Sequence, residues 1–203
     1  RPGTPGWSAM SIPWMSIGYE FRQTPLQTLA FYNAVANNGT LLKPQFVQKI
    51  ARSGRVIKNF KPIVLEEQIC SPSSIAIMKS CLEGVMTDGT GKELKSSFFT
   101  IAGKTGTTQN ASDGWYMGIS KDLVSGTWVG GDDRAIHFRS WTAGQGSKTA
   151  RPIWVKYMAK VYADPSLGYT KGPFPRPERP LSIEINCDKY EQDSQRFADF
   201  DYD

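Results

Sequence analysis

Lys104-Thr105-Gly106-Thr107 is the run of this sequence best suited to chemistry. The lysine offers a fixed positive charge toward a peptide carboxylate. The hydroxyls of Thr105 and Thr107 can hydrogen-bond that carboxylate or a substrate amide. Gly106 removes a side chain where an extended ligand would lie against the backbone. A strand edge here would take up such a ligand as one further strand. The backbone N–H of Thr107 then falls where one of two oxyanion-hole donors would stand. Such a donor is typically worth about 2.7–4 kcal/mol of transition-state stabilisation. By themselves the four residues also describe an ordinary strand end, softened by glycine, with an exposed lysine.

Other chemistries find little support. His137 is the sole histidine, so no Ser-His-Asp triad built on a motif and no multi-histidine metal site is supported, and a surface or core-edge role is expected for it. Cys70, Cys81 and Cys187 fit no zinc or redox spacing and are read as free thiols. No metal and no cofactor is called for.

Around the motif, the elements are legible from caps and periodicity. Thr24-Pro25 starts a helix, with Thr24 as N-cap, and Asn37-Asn38-Gly39 ends it. Residues 45–52 and 55–60 form a hairpin about Ser53-Gly54. Ser71-Pro72 starts a second helix, stopped by Asp88-Gly89-Thr90-Gly91. The period then changes from that of a helix to that of a strand. Strands are expected at 99–105, 114–120 and 125–131, an antiparallel meander with Lys121-Asp122 as a short turn. A third helix spans 148–163, with Ile153, Trp154, Tyr157, Met158 and Val161 at helical spacing. Residues 1–16 read as an irregular lead-in. Residues 164–180 read as a proline-rich extended linker, and 181–203 as an acidic tail opening on a short strand at 181–187.

The chain of 203 residues is long enough for one domain with a real core. Its net charge of +5 is unevenly spread, because 181–203 holds seven acids against Lys189 and Arg196. The remaining basic body suits anionic ligands, but no nucleic-acid module is recognisable and no nucleic-acid partner is expected. No apolar run reaches the roughly 18 residues of a membrane span. Because the chain begins at Arg1, it is read as a fragment whose anchor or export signal lies elsewhere.

The surroundings of the motif carry a resemblance. The stretch from Ile101 through Lys104-Thr105-Gly106-Thr107 to Gln109 resembles the third motif of penicillin-binding transpeptidases. Ile17-Gly18-Tyr19-Glu20, Thr24-Pro25-Leu26-Gln27 and Ala36-Asn37-Asn38-Gly39 are similar to the helix preceding it in that family, and Glu83-Gly84-Val85 through Gly91 to the helix end just upstream. Gly114-Trp115-Tyr116, Thr127-Trp128-Val129-Gly130 and Pro152-Ile153-Trp154 resemble the strands and helix that follow. Residues 1–100 look like the class B, division-type enzymes. Residues 110–180 look like the bifunctional class A enzymes, marked by Ser112-Asp113-Gly114 and Gly144-Gln145-Gly146. A hybrid chain is one explanation.

The resemblance implies an α/β fold, an antiparallel sheet of about five strands flanked by helices on both faces, of which residues 1–163 are the C-terminal part. It implies a peptidoglycan D,D-transpeptidase that acylates a serine and binds β-lactams, with the stem peptide as substrate. Lys104, Thr105, Gly106 and Thr107 would bind substrate, with Lys104 and the Thr107 N–H also acting in catalysis. The family's Ser-x-x-Lys and Ser-x-Asn motifs are missing: no serine here has lysine three residues on or asparagine two residues on. They are expected upstream, which leaves the isolated chain inactive and exposes apolar surface to a second copy or to the missing N-terminal half. The parent would sit on the periplasmic face, anchored to the inner membrane by a segment outside this chain. A β-lactamase or β-lactam sensor, or a non-catalytic binding and assembly module, are the alternative readings.

Overall fold

The computed structural model describes residues 3–89 and 100–174. The helices are α1 (Ser11–Ser16), α2 (Pro25–Ala36), α3 (Pro72–Thr87), α4 (Trp141–Gly144) and α5 (Ala150–Ala163). The strands are β1 (Leu41–Leu42), β2 (Lys49–Arg52), β3 (Arg55–Asn59), β4 (Val64–Glu66), β5 (Ala102–Thr107), β6 (Asp113–Ile119) and β7 (Val124–Gly130).

Local chemistry explains where the two long N-terminal helices start and stop. Thr24 and Gln27 form a reciprocal capping box at the head of α2, and Pro25 fills the first helical position. Asn38 and Gly39 then turn left-handed and end the helix. Ser71 caps α3 by accepting the Ser74 N–H at 3.1 Å. Lys79 of α3 reaches across to α2, donating to the Ala36 carbonyl at 3.0 Å and to Asn38 Oδ1 at 2.7 Å. A cation at a helix C-terminus satisfies carbonyls the helix itself leaves open.

Strands β5, β6 and β7 pair in sequence order as an antiparallel meander, with Lys104 opposite Met117 and Trp115 opposite Trp128. Alternation along the strands sends Gly118 and Tyr116 to one face and Ile119 to the other. On the first face, Trp154 of α5 is fully buried, its ring edge-on to Tyr116 at 5.0 Å. Its indole N–H donates to the Ser125 carbonyl at 3.2 Å. Gly118 is required there, because a Cβ would enter the Trp154 ring. Tyr116 donates its hydroxyl to Met86 Sδ of α3, and burial pushes its ionisation well above the ordinary tyrosine range. On the second face, Ala102 and Ile119 pack with Tyr32 and Ala36 of α2, Leu82 of α3 and Phe174. Helices thus lie on both faces, as expected for this α/β fold.

Several boundaries differ from those read in the sequence. Within 1–16, α1 forms around a buried Ser11 whose hydroxyl accepts the Ser8 N–H at 3.0 Å. A helix of six residues is too short to show a period. The hairpin is longer than its central strands, since β1 and β4 pair below β2 and β3. In α5 the buried stripe is Ala150, Arg151, Trp154, Met158 and Val161, while Ile153 and Tyr157 are exposed. Those two lie about one residue round the helix from the buried line. The first part of the expected linker is packed rather than extended. Thr170 donates to Asp122 through its N–H at 2.8 Å and its hydroxyl at 2.7 Å, and Phe174 is 9% exposed against the sheet. The expected strand at 181–187, the acidic tail and Cys187 lie outside the described residues, as does the start of the 99–105 strand. Cys70 and Cys81 are free thiols, and His137 is exposed.

Candidate functional site

β5 is the edge of its sheet, and it runs two residues beyond its expected end, so Gly106 and Thr107 belong to the strand. No strand among the described residues pairs with its outer edge, and α3 packs beside it toward its start. The hydrogen-bond register fixes what that edge presents. The Thr108 N–H donates to the Asp113 carbonyl at 3.1 Å, toward β6. Successive residues of a strand direct their backbone groups to opposite sides, so the N–H and carbonyl of Thr107 point out of the edge, as do those of Thr105. Lys104 bears this out, since its exposed Nζ donates to the Thr105 carbonyl at 3.0 Å.

The four residues meet at the edge but divide between the faces. Lys104 and Gly106 share a face with Met117 and Trp115, their cross-strand partners, and Thr105 and Thr107 share the other with Tyr116 and Gly114. The Thr107 hydroxyl accepts the Gly146 N–H at 3.1 Å. Its own proton is then left for another acceptor. Gly146 sits directly on the sheet, where a Cβ would strike the backbone oxygens of Gly106 and Trp115. Gly106 has Trp115 as its immediate neighbour, 3.2 Å from where a Cβ would stand. The missing side chain therefore serves strand-to-strand packing as well as access to the edge.

Beyond Thr107 the chain is clasped. Thr108 Oγ1 donates to Asp113 Oδ2 at 2.8 Å and accepts the Asp113 N–H at 2.9 Å. Ser112 donates to the same carboxylate at 3.3 Å, and the Trp128 indole N–H donates to Asp113 Oδ1 at 2.9 Å. Between them Asn110 and Ala111 are left-handed, with φ of 62° and 54°. Burial pushes the Asp113 carboxyl up. The hydrogen bonds from Thr108, Trp128 and Ser112, with the charge of Arg134, outweigh it and hold the group below the usual carboxylate range. Sequence reading found Ser112, Asp113, Trp128 and Gly146 only as marks of resemblance. A carboxylate at a strand start with a threonine five residues earlier was the local signal for the clasp, while the partnership with Trp128 and the seat of Gly146 depend on the folded sheet.

A group whose acidity is strengthened by folding stabilises the protein while ionised and loses that contribution as pH falls through its folded value. Asp113→Asn is therefore expected to lower stability by roughly 1 kcal/mol at neutral pH, the net worth of a typical hydrogen bond, because solvent screens this half-buried carboxylate. The difference from the unaltered chain should persist to about pH 4 and shrink below it. Urea unfolding midpoints at pH 7, 5 and 3 check this.

An edge strand bearing lysine, two threonines and an outward N–H, on a sheet with helices on both faces, can pair an extended peptide and hold a cation beside it. The penicillin binding protein transpeptidase domain matches the sequence over residues 1–135, and the chain belongs to that family. Among its relatives is penicillin-binding protein 1A of Aquifex aeolicus (strain VF5), 34% identical over 164 residues that make up 80% of this chain and 21% of that protein. The chain thus spans about a fifth of that relative's length. Among solved structures, penicillin-binding protein 1A from Haemophilus influenzae has a similar fold. Its TM-score is 0.63 at 24% identity, over 77% of this chain and 28% of that one. The imipenem acyl-enzyme of penicillin-binding protein A from M. tuberculosis gives 0.55 at 20% identity, over 66% of this chain and 32% of that one.

Proposed function

We propose that these residues are the substrate-clamping part of a peptidoglycan D,D-transpeptidase that cross-links stem peptides by serine acyl transfer and binds β-lactams. The observation that carries the reading is the outer edge of β5, where the Thr107 N–H points outward and the Lys104 ammonium rests on the Thr105 carbonyl. A stem peptide laid along this edge as an added strand would meet three complementary groups. Its terminal carboxylate faces the charge of Lys104 and the hydroxyls of Thr105 and Thr107. Gly146 orients the Thr107 hydroxyl so that its proton is available to the carboxylate. When a serine oxygen attacks the penultimate D-Ala carbonyl, the carbonyl oxygen gains charge and accepts the Thr107 N–H. The bond to the terminal D-Ala breaks, that residue leaves with a proton, and the acyl group passes to an amine of a neighbouring strand. A β-lactam follows the same first step, its ring opening in place of the departure of D-Ala.

Lys104, Thr105, Gly106 and Thr107 are thus the substrate-binding residues, and the Thr107 N–H and Lys104 the groups that act on the reacting atoms. The nucleophile and its base come from other residues of the parent protein, since this sequence holds no Ser-x-x-Lys. The parent works at the periplasmic face, held to the inner membrane by a segment other than those described; no helix among the described residues is long and apolar enough to cross a membrane. The exposed Trp128, Ile136 and Phe138 form surface that a second copy or the catalytic half of the parent would cover.

A fluorescent penicillin tests the reading. The full-length parent is expected to take up one equivalent covalently and the 203-residue chain none. Stoichiometric acylation of the isolated chain, seen by mass spectrometry, would overturn the assignment of the nucleophile. A parent that takes up no penicillin and releases no D-Ala would point to a non-catalytic binding module instead.

A further inference from the structure

The charge of this protein is concentrated away from the site. Between residues 43 and 65 the sequence has six cations, Lys43, Lys49, Arg52, Arg55, Lys58 and Lys61, and no acid. From 66 to 180, by contrast, fourteen bases are offset by eleven acids. The cationic stretch is the arm built from β1 to β4, and every residue of β2 and β3 is exposed. Cross-strand partners share a face, and here Arg52 stands opposite Arg55 and Ile50 opposite Lys58. Lys58 also lies 4.8 Å over the ring of Phe60. One side of the arm thus presents three cations beside Ile50 and Phe60. Like charges directly opposite one another destabilise a hairpin, and neither arginine has a carboxylate partner among the described residues. The arrangement calls for an anion from elsewhere. Phe46 and Ile57 of the same arm are also exposed, at 86% and 63%.

The complement is present in the same chain. Residues 188–203 carry six acids, Asp188, Glu191, Asp193, Asp199, Asp201 and Asp203, interleaved with Tyr190, Phe197, Phe200 and Tyr202. Acids alternating with aromatic rings suit a surface of cations alternating with apolar side chains, because each gives the other both a counter-charge and apolar cover. The residues after Phe174 can reach roughly 95 Å at about 3.3 Å each, so distance sets no obstacle. We propose that the acidic, aromatic segment 188–203 docks on the cationic face of the β2–β3 arm. The segment then covers the arm and neutralises the Arg52–Arg55 pair, and its displacement would free a basic surface for anionic partners.

The test compares amide spectra of the 203-residue chain with those of a chain ending at Cys187. Removal of the tail is expected to shift amides within 49–60 and to leave those of β5–β7 in place. A labelled peptide of residues 184–203 should bind the shortened chain. That binding should weaken at least about tenfold between 50 and 300 mM salt, as screening requires, and at least about tenfold again in R52E/R55E. Unchanged hairpin amides on truncation, or peptide binding indifferent to R52E/R55E, would overturn the proposal. So would equal binding of the full and shortened chains to phosphatidylglycerol vesicles through the arm, since the tail would then not occupy it.

Discussion

Thr107→Pro in the full-length parent is expected to slow acylation by a β-lactam by about 10²–10³-fold, the loss that follows removal of one oxyanion donor. Proline lacks the N–H, and it also removes the hydroxyl that accepts the Gly146 N–H, a second loss that needs its own control. The N–H of Thr107 faces the outer edge, and proline is tolerated in strands where the missing donor would have faced outward. Thr107→Val is the matching control. It keeps the N–H but loses the hydroxyl held by Gly146, so its effect should fall on substrate affinity more than on the acylation step. Stopped-flow acylation rates separate the two variants. If they were equally slow, the hydroxyl, and not the N–H, would be the important group.

Trp154→Ala is expected to cost about 3–5 kcal/mol of stability, typical for truncating a large buried aromatic. Against the roughly 5–15 kcal/mol that holds a domain together, this is a large share of the total. Trp154 has 0% exposure, fills the space over Gly118, meets Tyr116 edge-on and bonds to Ser125. It therefore ties α5 to both β6 and β7. Urea unfolding followed by circular dichroism reads the loss, and a cost below about 1 kcal/mol would mean that the surrounding core closes over the hole.

What could be read from the sequence was what local rules specify. Thr24-Pro25 and Ser71-Pro72 marked helix starts because caps act within a single turn. The change to a two-residue period beyond Ser97 marked three strands, although the central strand β6 is buried on both faces. β1 escaped notice because it is two residues long and depends on a distant partner, as when the Lys43 N–H reaches the Ile63 carbonyl, and α4 because four residues, though capped by Ser140, show no period. The prolines after Ala163 suggested a stiff extended segment, but composition says nothing of a hole on the sheet that one phenylalanine fills. The site divides in the same way. Lys104 to Thr107 could be found by residue type, whereas the direction of the Thr107 N–H required the register with β6. The clasp on Asp113 combines a near neighbour, Thr108, with a partner one strand away, Trp128, and only the first of these is local.

The outer edge of β5 has a consequence for handling the isolated chain. A row of outward backbone groups will pair with any extended chain, a peptide ligand or another molecule's strand, so this edge is also a seed for aggregation. Charged residues near such edges act as gatekeepers, and lysine is the commonest of them. Lys104 stands within this strand with its ammonium on the Thr105 carbonyl. The residue that would draw the right ligand in is also the one that makes it costly for the wrong strand to zip on, because pairing would have to strip a charge from its carbonyl and bury it.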